Sequence, residues 1–132
     1  MSPRREILVP AVHAPDTASS FGQAVSTVVR GGDFLFVRGL AAVDPRSGER
    51  VRGTTASETG QILINLKQLL EAAGSSLDKV VKVNVWLHSM LEAPNMNEVY
   101  AVFFPDPPPA RTVCGARLPD GAKVIIECTA LA

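Results

Sequence analysis

Pro107-Pro108-Pro109-Ala110-Arg111-Thr112-Val113-Cys114-Gly115-Ala116-Arg117-Leu118-Pro119-Asp120-Gly121-Ala122-Lys123-Val124-Ile125-Ile126-Glu127-Cys128-Thr129-Ala130 is the stretch whose reading decides the fold. Two short apolar runs flank an Arg117–Gly121 turn, where Pro presets one backbone angle and Gly frees another. Each run carries one charge where the pattern calls for a core residue: Arg111 at the entry to the first, Glu127 inside the second. The pattern predicts a hairpin turning near Pro119-Asp120-Gly121. Arg111 lies nine residues before Asp120 and Glu127 seven after it, so both fall at the end of the hairpin away from the turn. Two readings of the pair stand. In one, the guanidinium and the carboxylate simply pair with each other. In the other, the guanidinium grips a ligand carboxylate through two hydrogen bonds, and the strand carboxylate handles a proton or a water.

Upstream, Pro105 and the Pro107–Pro109 run must end any helix, because proline cannot donate to the helical ladder. The helix they end begins near Pro94, which suits a first turn, and sets Met96, Val99, Tyr100 and Phe103 on its inner side. Asn97 and Glu98 read as polar positions of its first turns. Before it, Val80–Leu87 alternates Val81, Val83, Val85 and Leu87 against Val80, Lys82, Asn84 and Trp86, a strand buried on one side and partly covered on the other. A first helix starts near Thr55, where Thr55 and Glu58 have capping-box spacing. Ile62, Leu63, Leu66, Leu69, Leu70 and Ala73 form its apolar face, and Gly74 stops it. Val25–Val29 and Phe34–Val37 read as a hairpin around Gly31-Gly32-Asp33, and Asp44-Pro45-Arg46-Ser47-Gly48 as a turn. Residues 1–20 lack periodicity and read as an irregular lead-in. The order β-β-α-β-α-β-β, with two helices packed on one face of a mixed sheet, is an α+β layer fold in a single domain, residues 1–132.

Bulk properties narrow the function. Thirteen basic and thirteen acidic residues cancel, so no strong field invites nucleic acid or an anionic membrane. Uncharged runs stop well short of membrane-spanning length, and no apolar stretch follows Arg4 and Arg5 as a signal peptide would require, so a cytoplasmic protein is expected. Two cysteines and two scattered histidines give no metal-ligand spacing, so no metal is expected. Cys114 and Cys128 sit in strands expected to be neighbours and read as free thiols, Cys114 as core filler. His13 and His88 lack a Ser/Asp constellation and read as exposed or capping residues. Trp86 suits a core or an interface; a stacking platform for nucleic acid would need several exposed aromatics with basic neighbours.

The C-terminal stretch resembles the signature of the reactive intermediate deaminase family (Rid, also YjgF or L-PSP endoribonuclease). The resemblance continues through Asn65-Leu66-Lys67-Gln68-Leu69-Leu70-Glu71-Ala72-Ala73-Gly74-Ser75-Ser76-Leu77-Asp78-Lys79-Val80-Val81-Lys82-Val83 and Met96-Asn97-Glu98-Val99-Tyr100-Ala101-Val102-Phe103-Phe104-Pro105. A fainter match lies at Phe21-Gly22-Gln23-Ala24. The resemblance implies a chorismate-mutase-like homotrimer with clefts between subunits, which hydrolyses enamines or imines such as 2-iminobutanoate and 2-iminopropanoate to keto compounds and ammonia. It implies Arg111 as the carboxylate anchor and Glu127 as the residue that orients water. Positioning a water and protonating carbon suffices for such labile substrates, so no cofactor is required.

Other cleft positions implied by the resemblance depart from the family pattern. The aromatic residue of the N-terminal loop, commonly Tyr, falls on Phe21, which lacks a hydroxyl. The usual Ser-Gly pair falls on Arg38-Gly39. Gly39 keeps backbone freedom for close approach to a ligand. Arg38 either points outward, pairing with a residue such as Asp44, or adds a second cation that suits a dicarboxylate. The segment after Arg111 is one residue shorter than in many relatives, which puts Val113 rather than Cys114 at the cleft-lining place. A binding or accessory protein that keeps the cleft without turnover is the alternative reading. A ribonuclease ranks behind both, for want of a His pair or a basic stripe.

Overall fold

The computed structural model describes residues 4–6 and 25–132; Phe21 and His13 lie outside the described residues. Val-rich, alternating segments build one mixed sheet from β1 (Arg5–Glu6), β2 (Val28–Gly31), β3 (Phe34–Leu40), β4 (Val80–Leu87), β5 (Ala110–Gly115) and β6 (Val124–Leu131), in the spatial order β1-β2-β3-β6-β4-β5. The β2–β3 hairpin forms around Gly31-Gly32-Asp33, with Gly32 at φ 57°, a left-handed angle that costs glycine nothing. The lead-in contributes one short element that its sequence did not signal, since Arg5 and Glu6 pair with Arg30 and Val29.

The expected C-terminal hairpin does not form. β5 lies parallel to β4, β6 lies antiparallel to β4, and β4 therefore separates them. The physical reason lies in the connections. β4 reaches β5 through a helical crossover, which returns the chain parallel, and the link 116–123 is longer than the two to five residues of a tight hairpin. It passes instead across the end of β4. Cys114 thus sits opposite Trp86 while Cys128 sits opposite Val83 and Val37, so the two thiols are not neighbours. Cys114 is exposed, not core filler, and Cys128 is buried.

Two helices cover one face. α1 (Thr55–Ala72) buries Ile62, Leu63, Leu66, Leu69 and Leu70, and α2 (Ala93–Phe103) buries Met96 and Tyr100. Together with Leu35, Val37, Val83, Val85, Ile126 and Cys128 they form the main core. The cap of α1 lies one residue before the expected one: Thr54 and Ser57 exchange side-chain-to-backbone bonds at 3.1 and 3.0 Å. This frees Glu58 for another task. At the far end Gly74 takes φ 85°, and Gly74 and Ser75 donate to the carbonyls of Glu71 and Leu70, the Schellman arrangement. In β4 the pairing slips between Val80 and Lys82, so Val80 is buried and Val81 is 39% exposed, against the simple alternation.

Glu58 is 2% exposed. Its Oε2 accepts from the Gly53 N–H at 3.2 Å and its Oε1 from the Lys123 N–H at 3.0 Å, while the Lys123 ammonium donates to the Gly53 carbonyl. The carboxylate therefore clamps the loop before α1 onto the link that enters β6. An amide in its place must turn one N–H₂ toward a backbone donor. Glu58→Gln is accordingly expected to lower unfolding free energy by about 1–3 kcal/mol, measured by urea titration.

Two core groups oppose ionisation. Burial pushes the Cys128 thiol up to about 12, with the neighbouring Glu127 charge adding to it. Burial likewise pushes the Tyr100 phenol up to about 12, against the pull of Arg111. Both are held neutral by the fold, so their contribution is complete below their ordinary values of 9.0 and 10.0 and is lost as pH rises toward about 12. Thermal unfolding followed across that alkaline range is expected to show a steady fall in Tm, and Cys128→Val should make it shallower, with the Tyr100 share remaining.

Candidate functional site

Side chains alternate across the sheet, and this sorts the chemistry-bearing residues. Arg111 lies opposite Val83, which is fully buried in the core, so its side chain leaves β5 on the helix-covered side. There its guanidinium carbon sits 4.6 Å from the centroid of the Tyr100 ring, a cation–π contact that holds the fork at the sheet edge. Tyr100 in turn packs on Phe104, with ring centroids 4.5 Å apart. Arg111, Asn97, Tyr100, Phe104, Pro105 and Pro108 border a recess of about 470 Å³. Among the described residues the ion pairs are Arg46 with Asp44 and Arg50 with Asp120, and neither engages Arg111.

Glu127 leaves β6 on the opposite, helix-free side, between the buried Ile126 and Cys128. Asn84 stands directly across from it in β4 and donates Nδ2–H to Glu127 Oε1 at 2.8 Å. The two belong to a small cavity of about 110 Å³ that Phe36, Lys82 and Thr129 also line. The Lys82 ammonium is tied to Thr112 Oγ1 at 2.8 Å. Of the two readings of the charged pair, mutual pairing within one copy of the chain is therefore excluded. One copy of the chain keeps Arg111 and Glu127 on different faces of its sheet.

The remaining expected positions separate. β3 carries one extra residue between its pairings Val37–Cys128 and Leu40–Ile126, so Arg38 and Gly39 together face Glu127 across a bulge. Arg38 is half-buried, donates to the Gly39 carbonyl at 3.1 Å, and does not line the cavity, where the cation is Lys82. Gly39 has a packing reason to be glycine, because a Cβ there would come within 2.9 Å of the Ile125 side chain. Val113 packs against the main core. His88 is exposed at the end of β4 with its ring against the Lys123 carbonyl. Trp86 packs with Ala41, Ala122, Ile125 and Leu118 in a small cluster on the helix-free side.

Sequence reasoning missed three contributors. Tyr100 was read as core, correctly, but its ring is also the seat of Arg111. The sequence places Asn84 and Lys82, with Val80 and Trp86, on the partly covered side of a strand. The signal available for Asn84 was its type, since asparagine is depleted in strands and this one interrupts a Val-rich run.

The helix-free face is rich in uncovered apolar surface. Phe34, Phe36 and Leu131 are 40%, 48% and 42% exposed, and Phe34 lies opposite Leu131 in the register. Isolated exposed apolar residues are ordinary, but several close together on one sheet face make a candidate contact surface. Among the described residues, no helix is long and apolar enough to cross a membrane.

Comparison with known proteins agrees with this architecture. The profile described as Endoribonuclease L-PSP matches residues 11–132. A RutC family protein of Pyrococcus horikoshii is 42% identical over 119 residues, covering 89% of this chain and 91% of the relative. The 2-iminobutanoate/2-iminopropanoate deaminase of Dermatophagoides farinae is 36% identical over 128 residues, 96% of this chain and 95% of the relative. The crystal structure of RidA from an Antarctic Psychrobacter superposes with a TM-score of 0.84 at 30% identity, covering 94% of this chain and 98% of the other. With a helix-covered mixed sheet, an arginine at its edge and a glutamate on its open face, the chain belongs to the endoribonuclease L-PSP family, the Rid/YjgF group.

Proposed function

We propose that the protein hydrolyses reactive imines of 2-amino acids, and the enamines that tautomerise to them, in a cleft that two copies of the chain build together. One observation carries this reading: Arg111 and Glu127 project from opposite faces of one sheet, neither neutralised by the other. A ligand that uses both must take them from different copies. The exposed Phe34, Phe36 and Leu131 supply the apolar face on which a second copy would sit, and the family resemblance supplies the trimer. The relative named as an iminobutanoate and iminopropanoate deaminase supports the same chemistry.

In this reading the Arg111 fork binds the substrate carboxylate through two N–H donors, and Tyr100 restrains the fork beforehand. Glu127 of the facing copy accepts a hydrogen bond from a water and takes its proton as the oxygen adds to the imine carbon. The proton passes to the nitrogen and gives the carbinolamine; Glu127 then carries the hydroxyl proton to the amine, the C–N bond breaks, and ammonia leaves as the keto group forms. An enamine must first gain a proton on carbon. A ribonuclease reading finds less to work with: His88, the one histidine among the described residues, is bound to the Lys123 carbonyl outside the cavity lining.

Generating 2-aminoacrylate in situ and following ammonia release tests the reading directly. Arg111→Ala should lose activity by the equivalent of about 2–5 kcal/mol with the fold intact, and Arg111→Lys should recover little because an ammonium lacks the planar fork. Near-normal rates in both would remove Arg111 from the site.

Glu127→Gln should keep ligand binding and lose turnover roughly 100-fold or more, since the amide preserves shape but takes no proton. Retained function in that variant would favour the binding protein over the enzyme. The shared cleft has its own signature. Arg111→Ala and Glu127→Gln chains, each inactive alone, should regain activity when unfolded together and reassembled, because a mixed assembly pairs an intact Arg111 with an intact Glu127. A monomer by light scattering at micromolar concentration, or no recovery on mixing, would overturn the two-copy site.

A further inference from the structure

We propose that Asn84 is a positioning residue of this cleft: it commits one oxygen of the Glu127 carboxylate, so that the other is the oxygen offered to the hydrolytic water. The inference rests on the reading of Glu127 as the water-orienting group and assigns a role to a residue that stands outside it.

The geometry is specific. Asn84 and Glu127 are directly opposed in the β4–β6 register, both half-buried, and the Nδ2–H to Oε1 bond is 2.8 Å. A carboxylate only accepts, so the amide must present its N–H₂ to it, which fixes the rotation of both side chains. A glutamate has three rotatable side-chain bonds, and a single short bond from a neighbour on the adjacent strand removes the freedom that would otherwise smear the position of a bound water. The strand carries the cost of this arrangement, because asparagine is a poor strand former amid Val83, Val85 and the other apolar residues of β4.

The charge of the donor matters as much as its place. Lys82, the cation that lines the same cavity, is two residues away in β4, yet its ammonium is held by Thr112 Oγ1 at 2.8 Å and makes no ion pair with Glu127 among the described residues. A lysine paired with Glu127 would stabilise the carboxylate and blunt it as a base. The neutral amide orients the carboxylate without neutralising it, and Thr112 keeps the nearby cation engaged elsewhere.

Steady-state kinetics of the full-length protein on in-situ 2-aminoacrylate decide the matter, with Asn84→Leu removing the donor at similar size and Asn84→Asp keeping the shape while replacing the donor by an acceptor. Both are expected to lower kcat by roughly tenfold or more. KM should stay within about twofold, and for Asn84→Leu Tm should be little changed, since the residue acts through Glu127 and not on the substrate; Asn84→Asp sets a second carboxylate beside Glu127, so only its kinetics are read. A purely structural polar pair would show the reverse, a lowered Tm with kcat preserved, and a direct substrate contact would raise KM with kcat preserved; either overturns the proposal. Glu127→Gln run alongside separates the two levels. If it turns over normally, the underlying reading of Glu127 fails. If it is inactive while both Asn84 variants match wild type, the role of Asn84 alone is overturned.

Discussion

A strand sends successive side chains to opposite faces of its sheet, and that alternation governs how this chain can use its charges. Once Val83 and Val85 of β4 are committed to the helix-covered core, Asn84 must face the open side. The register then carries the commitment outward, bringing Glu127 to the open side through β6 and Arg111 to the covered side through β5. The two charges are separated by the thickness of the sheet, not by any feature of their own surroundings. Helices on one face alone complete the constraint, since they leave the other face as the surface on which a second copy can close a site.

Each charge is prepared in a manner suited to the role proposed for it. Arg111 lies on the Tyr100 ring, and Tyr100 lies against Phe104, so the guanidinium rests on a stacked aromatic pair while its N–H groups stay available. Glu127 is steadied instead by a neutral amide. Neither has been spent on a salt bridge, which would fix its position at the cost of its reactivity. The clamp made by Glu58 serves the same end at a distance, because it ties the loop before α1 to the link from which β6 departs, and thereby supports the strand that carries Glu127.

Much of this was legible in the residues. The helices followed from three- and four-residue apolar spacing, and β4 from its alternation, because both periods are local. The two charges in the C-terminal runs were conspicuous for breaking such a pattern. The pairing of the C-terminal strands was not legible, since two adjacent strands joined by a turn look alike whether or not a third strand enters between them. What told against the hairpin was the length of the 116–123 link. Asn84 and Tyr100 could be placed on a face but not assigned a partner, because a partner across a sheet depends on register, and register depends on bulges such as those at Arg38-Gly39 and Val80–Lys82 that no spacing rule announces. Gly39 has a second reason for its size that no spacing rule shows, since a Cβ there would meet the Ile125 side chain.

The unequal burial of the two thiols has a practical consequence. Cys128 is 4% exposed and its thiol is pushed up to about 12, so at neutral pH it is both shielded and protonated. Cys114 is exposed and stands opposite Trp86, on the same open face as Phe36 and Glu127. The chain thus carries a built-in single-site reporter. If the proposed assembly covers this face, a maleimide footprint at Cys114, followed through a dilution series, would turn label uptake into a dissociation curve, with no engineered residue added to the protein.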